Sequence, residues 1–321
     1  MANVLFTTYC NRSCSYCFAR GRVDLGRPQG EASMSLSLEG LEEILAFFRR
    51  SLLTRFVVLG GEPTLHPNFT GMIDHILTQT SLKSIVIFTN GIMPDPALDY
   101  LSGCADPRLG VALNLNAPED YTAGEWKRIT QTMEMLGPRI NLGLNISRPG
   151  QDFEYLVSAI ESYRLSSHIR IGLTQPILGF QNRYAQEEDL PGIAEDVVTF
   201  AERAFRRKIG FSFDCGFRFC MFTLEQHKRL LRFAVKFAAR CSPIIDIGPD
   251  LNVWPCFPLH QEANRRLSEF QTENQIIDFY KETYKSFLPM GNRANCPQCL
   301  YRVNQMCSGG CLARTLASFR R

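Results

Sequence analysis

A chain of 321 residues, 45% hydrophobic and 21% charged, carries enough apolar material for a large core and enough charge to stay solvated. Its formal net charge of +3 argues against nucleic acid or an acidic membrane surface as partner. No apolar run approaches membrane-spanning length, and Met1-Ala2-Asn3-Val4 opens without the basic and apolar segments of a secretory signal. Twelve cysteines in such a chain point to metal rather than disulfides and, where that metal forms iron–sulfur clusters, to an oxygen-sensitive, cytoplasmic protein.

In chain order, residues 3–8 form a short β-type run that delivers Cys10 onto a loop. There Cys10, Cys14 and Cys17 follow a C-x3-C-x2-C spacing with Tyr16 before the last. Three thiolates on one loop can hold three corners of a cubic iron–sulfur cluster and leave the fourth iron open. The alternatives are a structural metal site or plain buried thiols, although structural zinc usually draws four ligands in paired short spacings. Residues 21–32 read as loop. Ser35 is the expected cap of a helix over 36–50, with Leu38, Leu41, Ile44, Leu45 and Phe48 on one face. Strands follow at 55–59, 84–89, 110–115, 140–146 and 169–173, with helices at 68–79, 122–136 and 153–163 and one more before 110. This β–α alternation, repeated six times, predicts parallel strands with right-handed crossovers in an open, partial (β/α)6 TIM-like barrel. Functional residues gather at the C-terminal strand ends of such folds. Cys10, Gly60-Gly61-Glu62, Asn90, Asn114, Asn116, Asn145 and Gln175 are expected there.

The polar stretch 181–191 marks a boundary between units at 1–185 and 186–321. Beyond it a helix is expected over 193–208, where Arg203, Arg206, Arg207 and Lys208 read as a solvated helix end. A strand at 210–213, a helix over 223–240, a hairpin of 244–247 and 251–254 around Gly248-Pro249-Asp250, and a helix over 267–288 complete the chain. The five histidines form no metal-binding pattern, and no phosphate-binding glycine loop is present.

The cysteine loop with its preceding Tyr16 resembles the signature of radical S-adenosylmethionine (SAM) enzymes. The resemblance implies a [4Fe–4S] cluster on Cys10, Cys14 and Cys17 whose open iron takes the amino and carboxylate groups of SAM. Gly60-Gly61-Glu62-Pro63 resembles the family segment whose backbone carbonyls and carboxylate accept from the SAM ammonium. Asn114 takes the place of the family's ribose-binding residue, and Asn116 stands where relatives often have Asp. Asn145 and Asn90 are further SAM-contact candidates, and Tyr16 and Phe18 candidates for packing on adenine.

The tail resembles the SPASM/twitch extension of the same enzymes, which houses auxiliary [4Fe–4S] clusters. Carried over by position, Cys215, Cys220, Cys256 and Cys311 would ligate a first auxiliary cluster, and Cys296, Cys299 and Cys307 part of a second. A final cysteine of the full pattern is missing after Cys311, so that second cluster has three thiolates, takes another ligand or is absent. Relatives that oxidise Cys or Ser in sulfatases place Asp directly after the hairpin cysteine; Phe257 stands there and argues against that activity. Cys104 and Cys241 stand alone, as small buried hydrophobes or, in a minority reading, as hydrogen donors to a product radical.

The expected function is therefore a radical SAM oxidoreductase or maturase that modifies a ribosomally made peptide by oxidation, cross-linking or epimerisation. A sugar or antibiotic precursor is the alternative substrate. A non-catalytic iron–sulfur electron carrier or redox sensor is the alternative of another class. A flavodoxin or ferredoxin type of reductant is the implied partner. Nine residues precede Cys10, so leader-peptide recognition is expected either from a separate protein or not at all, the substrate then not being leader-guided.

Overall fold

The computed structural model describes residues 2–25, 33–233, 237 and 239–319. Seven strands lie side by side and parallel: β1 (Ala2–Leu5), β2 (Arg55–Leu59), β3 (Ser84–Thr89), β4 (Leu109–Asn114), β5 (Ile140–Ile146), β6 (His168–Leu173) and β7 (Gly210–Phe213). Helices α1 (Leu38–Arg50), α2 (Phe69–Leu77), α3 (Asp95–Gly103), α4 (Ala123–Leu136), α5 (Glu154–Tyr163) and α6 (Leu190–Arg206) make the crossovers. The α/β alternation expected for a partial barrel is thus present, and β7 extends the parallel set by one strand.

The tail adds a second edge. Its strand β8 (Asp246–Ile247) pairs parallel with the free side of β1, at Asn3–Asp246 and Val4–Ile247. Antiparallel β9 (Asn252–Trp254) and β10 (Arg265–Arg266) follow, so one ten-stranded sheet runs through both parts of the chain.

Local chemistry explains the elements. In β3, Ile85, Ile87 and Thr89 are buried while Ser84, Val86 and Phe88 are less so, the alternation of a pleated strand. Helix α1 starts at Ser37, not Ser35: the Ser37 side chain accepts from Gly40 N at 3.0 Å. Ser35 instead bridges to Thr7. The helix buries Leu41, Ile44, Leu45, Phe47 and Phe48 and leaves Leu38 exposed, so its apolar stripe begins one turn later than the periodicity implied. Reciprocal Thr–Glu and Thr–Gln capping boxes start α4 (Thr122, Glu125) and α7 (Leu224–Arg232; Thr223, Gln226).

Two tail helices are shorter than their patterns. Helix α7 ends at Arg232; of the stretch expected to continue it, 234–236 and 238 lie outside the described residues, and Ala239 bridges to Cys307 instead of continuing a helix. Residues 267–288 resolve into a single 3₁₀ turn at Leu267–Glu269 and then α8 (Glu273–Thr283). The short α9 (Leu300–Val303) and terminal α10 (Leu312–Phe319) close the chain.

Most buried apolar side chains form one continuous core between helices and sheet. A second, small core of Leu5, Ala19, Val23, Trp254 and Phe257, with Cys17 and Phe18 against it, joins the N-terminal loop to the tail hairpin. Phe257 packs on Phe18 at 5.6 Å and on Trp254 at 6.0 Å between ring centroids. Among the described residues no helix is long and apolar enough to cross a membrane.

Candidate functional site

Parallel strands place all their C-terminal ends on one rim. The cysteine loop leaves β1 on that rim, and the glycines after β2 lock it in place. Gly61 N donates to Thr7 O and Glu62 N to Tyr9 O, each at 2.8 Å. A Cβ on Gly61 would sit 2.1 Å from Tyr9 O and 2.9 Å from Cys10 Cβ, and one on Gly60 would sit 2.6 Å from Thr7 O. Both positions need glycine because backbone passes against backbone, not because of an unusual φ.

Glu62 is fully buried and already engaged. One oxygen accepts from Thr64 Oγ1 at 2.7 Å and Thr89 Oγ1 at 2.9 Å, the other from Asn90 N at 2.8 Å. Burial holds its carboxyl above the usual carboxylate range, and these donors offset that only in part. Its place is that of a brace between the ends of β2 and β3, with Pro63 opening the following 3₁₀ turn. Asn90 extends the brace: its Nδ2 donates to Asn11 Oδ1 at 2.9 Å and lies 3.9 Å from Cys10 Sγ.

Burial pushes the Cys10 thiol up to about 12 and the Cys17 thiol up to about 11, while backbone N–H groups of Arg12 (for Cys10) and of Ala19 and Arg20 (for Cys17) oppose it. Thiols in so dry a setting ionise only against a bound cation, while the inward N–H groups suit a thiolate. That donor set fits a cluster.

A cavity of about 450 Å³ opens beside the loop, lined by Cys14, Tyr16, Asn116, Asn145, Arg148 and Arg183 among others. Tyr16 Oη donates to Asn116 Oδ1 at 2.5 Å, and Asn116 N donates to Tyr121 Oη at 2.8 Å. Of the strand-end residues expected to meet a cofactor, Tyr16, Asn116 and Asn145 line this cavity; Gly60, Gly61, Glu62, Pro63, Asn90 and Asn114 do not. Asn114 accepts from Arg170 Nη2 at 3.1 Å, and Arg170 also pairs with Asp214. Sequence reasoning missed Arg148 and Arg183. Both are exposed, and among the described residues no hydrogen bond or ion pair engages either guanidinium. Arg183 donates its backbone N–H to Ser15 O at 2.9 Å, a contact from a distant loop that no local pattern reveals.

The tail thiols influence one another electrostatically in two sets. The Cys256 thiol is raised by burial and then by its neighbours Cys311, Cys241 and Cys215. Cys215 is exposed at the surface, yet desolvation raises its thiol, with Asp214, Cys241 and Cys311 adding to the effect. Burial pushes Cys311 up to about 12, and Cys241 adds to it. Cys220 keeps other company: burial raises it, Arg218 and Arg293 lower it, and Cys296 and Cys307 raise it. Cys299 follows Cys296 by one 3₁₀ turn. Cys104 caps the end of α3, on a helix-to-strand connection at the opposite end of the strands from the cysteine loop, and does not line the cavity.

The model of the radical SAM superfamily matches residues 4–167, about half of the chain. Among curated proteins, a GTP 3′,8-cyclase of Vibrio parahaemolyticus is 31% identical over 86 residues, 26% of this chain and 25% of that protein. A probable GTP 3′,8-cyclase of Archaeoglobus fulgidus is 27% identical over 135 residues, 41% of this chain and 42% of that one. The chain thus spans a quarter to two fifths of the length of these relatives. Among solved structures, Streptococcus suis SuiB bound to S-adenosylmethionine superposes with a TM-score of 0.69 at 14% identity, covering 98% of this chain and 74% of that one. Native anSMEcpe with bound AdoMet gives 0.67 at 15% identity, covering 100% and 95%. These two share the fold along the whole chain, cysteine-rich end included. Matched from its first strand to its fifth crossover helix, the chain belongs to the radical SAM superfamily, and the [4Fe–4S] cluster and SAM that membership implies fit the residues around Cys10, Cys14 and Cys17.

Proposed function

We propose that the protein is a radical SAM oxidoreductase or maturase acting on a ribosomally made peptide. The observation that carries this reading is the junction of the three-thiol loop with the polar cavity beside it, in a chain of this superfamily. When bound, the cluster and SAM supply a 5′-deoxyadenosyl radical that removes a hydrogen atom from substrate. The chain's own residues hold and shield. Gly60 and Gly61 let the loop's carbonyls at Thr7 and Tyr9 pass close against the end of β2, and Glu62 stiffens the loop from behind. Tyr16, Asn116 and Asn145 offer hydrogen-bonding groups on the cavity wall. Phe257 and Phe18 keep water from the side of Cys17 that faces the tail.

A peptide is favoured by the whole-length likeness of fold, since a form of anSMEcpe has been solved with AdoMet and the Cp18Cys peptide. In this reading the tail cysteines hold one or two auxiliary [4Fe–4S] clusters, and a flavodoxin- or ferredoxin-type protein delivers electrons. A second reading, a small anionic molecule such as a sugar or antibiotic precursor, is favoured by the unengaged guanidinium groups of Arg148 and Arg183 on the cavity wall.

Anaerobic incubation of the reconstituted, reduced protein with SAM tests the reading. Release of 5′-deoxyadenosine is expected, and its loss in Cys14→Ala with iron elsewhere intact localises it. No release from fully loaded protein, with peptide and small-molecule candidates alike, would refute it.

A further inference from the structure

The eight cysteines of the tail divide by space rather than by sequence spacing. We infer that Cys215, Cys241, Cys256 and Cys311 hold one auxiliary cluster, and that Cys220 joins Cys296, Cys299 and Cys307 as the fourth thiolate of a second. The inference rests on the auxiliary-cluster reading above and specifies its ligands.

Cys220 lies only five positions after Cys215, yet the backbone separates them. Gly216 turns with φ +100°, where a side chain would strike Gln175 Nε2 at 2.3 Å. Arg218 is extended, and a 3₁₀ turn at Phe219–Met221 carries Cys220 onward. Phe219 then stacks flat on Tyr301, centroids 4.8 Å apart, between Cys299 and Cys307 in the chain. The far wall is close-built: a Cβ on Gly291 (φ +69°) would meet Cys296 Sγ at 2.8 Å, and Asn292 N donates to Gly309 O at 2.8 Å.

Cys241 is drawn the other way. Ala239 bridges to Cys307, Ser308 N donates to Ala239 O at 2.9 Å, and Cys241 N donates to Ser308 Oγ at 2.6 Å. This ladder leads Cys241 along the strand-like run towards Cys311, where the Leu312 N–H reaches its thiol.

Charge matches the grouping. Four thiolates on a cubic cluster leave it anionic and in need of N–H donors and cations. Arg170 and Arg314 stand by the first group. Arg218 and Arg293 stand by the second. Arg218 is 2% exposed; its Nη2 pairs with Glu187 at 2.8 Å, but its Nη1 has no partner among the described residues. A buried guanidinium N–H without a partner is costly and needs an anion beside it.

With four thiolates in each group, neither auxiliary cluster offers an open iron. Substrate is then held by side chains around the cavity, and Cys241 is a ligand rather than a hydrogen donor.

The test counts iron in the full chain with Cys10, Cys14 and Cys17 replaced by Ala, reconstituted anaerobically. About eight irons per chain are expected, four per cluster; none would mean that the auxiliary-cluster reading itself fails, whereas about four would overturn only the second cluster. Adding Cys215→Ala and Cys241→Ala together should leave about four, whereas adding Cys215→Ala and Cys220→Ala together takes one thiolate from each group and should leave about eight, each cluster on three thiolates. Retention of about four in the Cys215/Cys220 pair would place both in one cluster and overturn the inference. Should Cys220→Ala unfold the tail, Cys220→Ser decides. Ferricyanide should take one electron and release one iron from its weakened corner, leaving a three-iron cluster visible by electron paramagnetic resonance. No such signal beyond that of the parent overturns the assignment.

Discussion

Gly61→Ala isolates how the strand-end glycines serve the cysteine loop. The new methyl would lie 2.1 Å from Tyr9 O, where ordinary contact is 3.4–4 Å, so the loop must retreat by roughly 1.3 Å. That retreat stretches the bonds Gly61 N to Thr7 O and Glu62 N to Tyr9 O, each worth about 1 kcal/mol. With overpacking strain of ~1–3 kcal/mol the total cost is about 3–5 kcal/mol, survivable for a core of this size. Catalysis is more sensitive, because a displacement of about 1 Å costs on the order of 100-fold. The assay is single-turnover formation of 5′-deoxyadenosine under anaerobic conditions, with iron counted in parallel. A fall of about 100-fold is expected, with the tail iron unchanged. Gly103→Ala is the control: its Cβ would meet nothing within 4 Å, so rate and iron should match the parent. A Gly61→Ala protein with parental rate and iron, or a Gly103→Ala protein equally damaged, would refute the close-approach argument.

Glu62→Gln turns an amide N–H₂ towards donors that now point at a carboxylate, and should cost about 1.5–3 kcal/mol in denaturant unfolding; an unchanged midpoint would show that the brace is not ionised. Asp246 accepts from Asn3 Nδ2 at 2.7 Å, and burial pushes its carboxyl from 3.8 up to about 7. A raised carboxyl means the folded state holds its proton longer, so stability is greatest below about pH 4 and declines as pH rises towards 7, by at most about 4 kcal/mol. Asp246→Asn should flatten the melting temperature between pH 5 and pH 8 (a window set by that shift), and an identical slope in both proteins would count against it. Tyr16→Phe leaves Asn116 Oδ1 without its donor and should weaken SAM binding several-fold, by about 1 kcal/mol, without loss of iron; equal affinity by equilibrium dialysis would remove Tyr16 from the cavity's binding groups.

Short-range pattern in the chain determined the α/β alternation, because each strand and helix is selected by its own apolar period and bounded by its own Gly, Asn or Ser. It also determined the three-thiol loop, since C-x3-C-x2-C confines its sulfurs to one turn of backbone. It misjudged the start of α1 by two residues, because Ser35 and Ser37 are equivalent as text and only the bridge of Ser35 to Thr7 separates them. Tertiary structure alone decided that Glu62 faces Thr64, Thr89 and Asn90, that Arg148 and Arg183 reach the cavity, and that Cys104 sits at the opposite end of the strands. In the grouping we infer, it decides the company of Cys220 and Cys241 too. Spacing assigns neighbours by contour length, whereas Gly216, the turn after Arg218 and the Ala239–Cys307 bridge reassign them by direction, and direction is set by contacts between segments far apart in the chain.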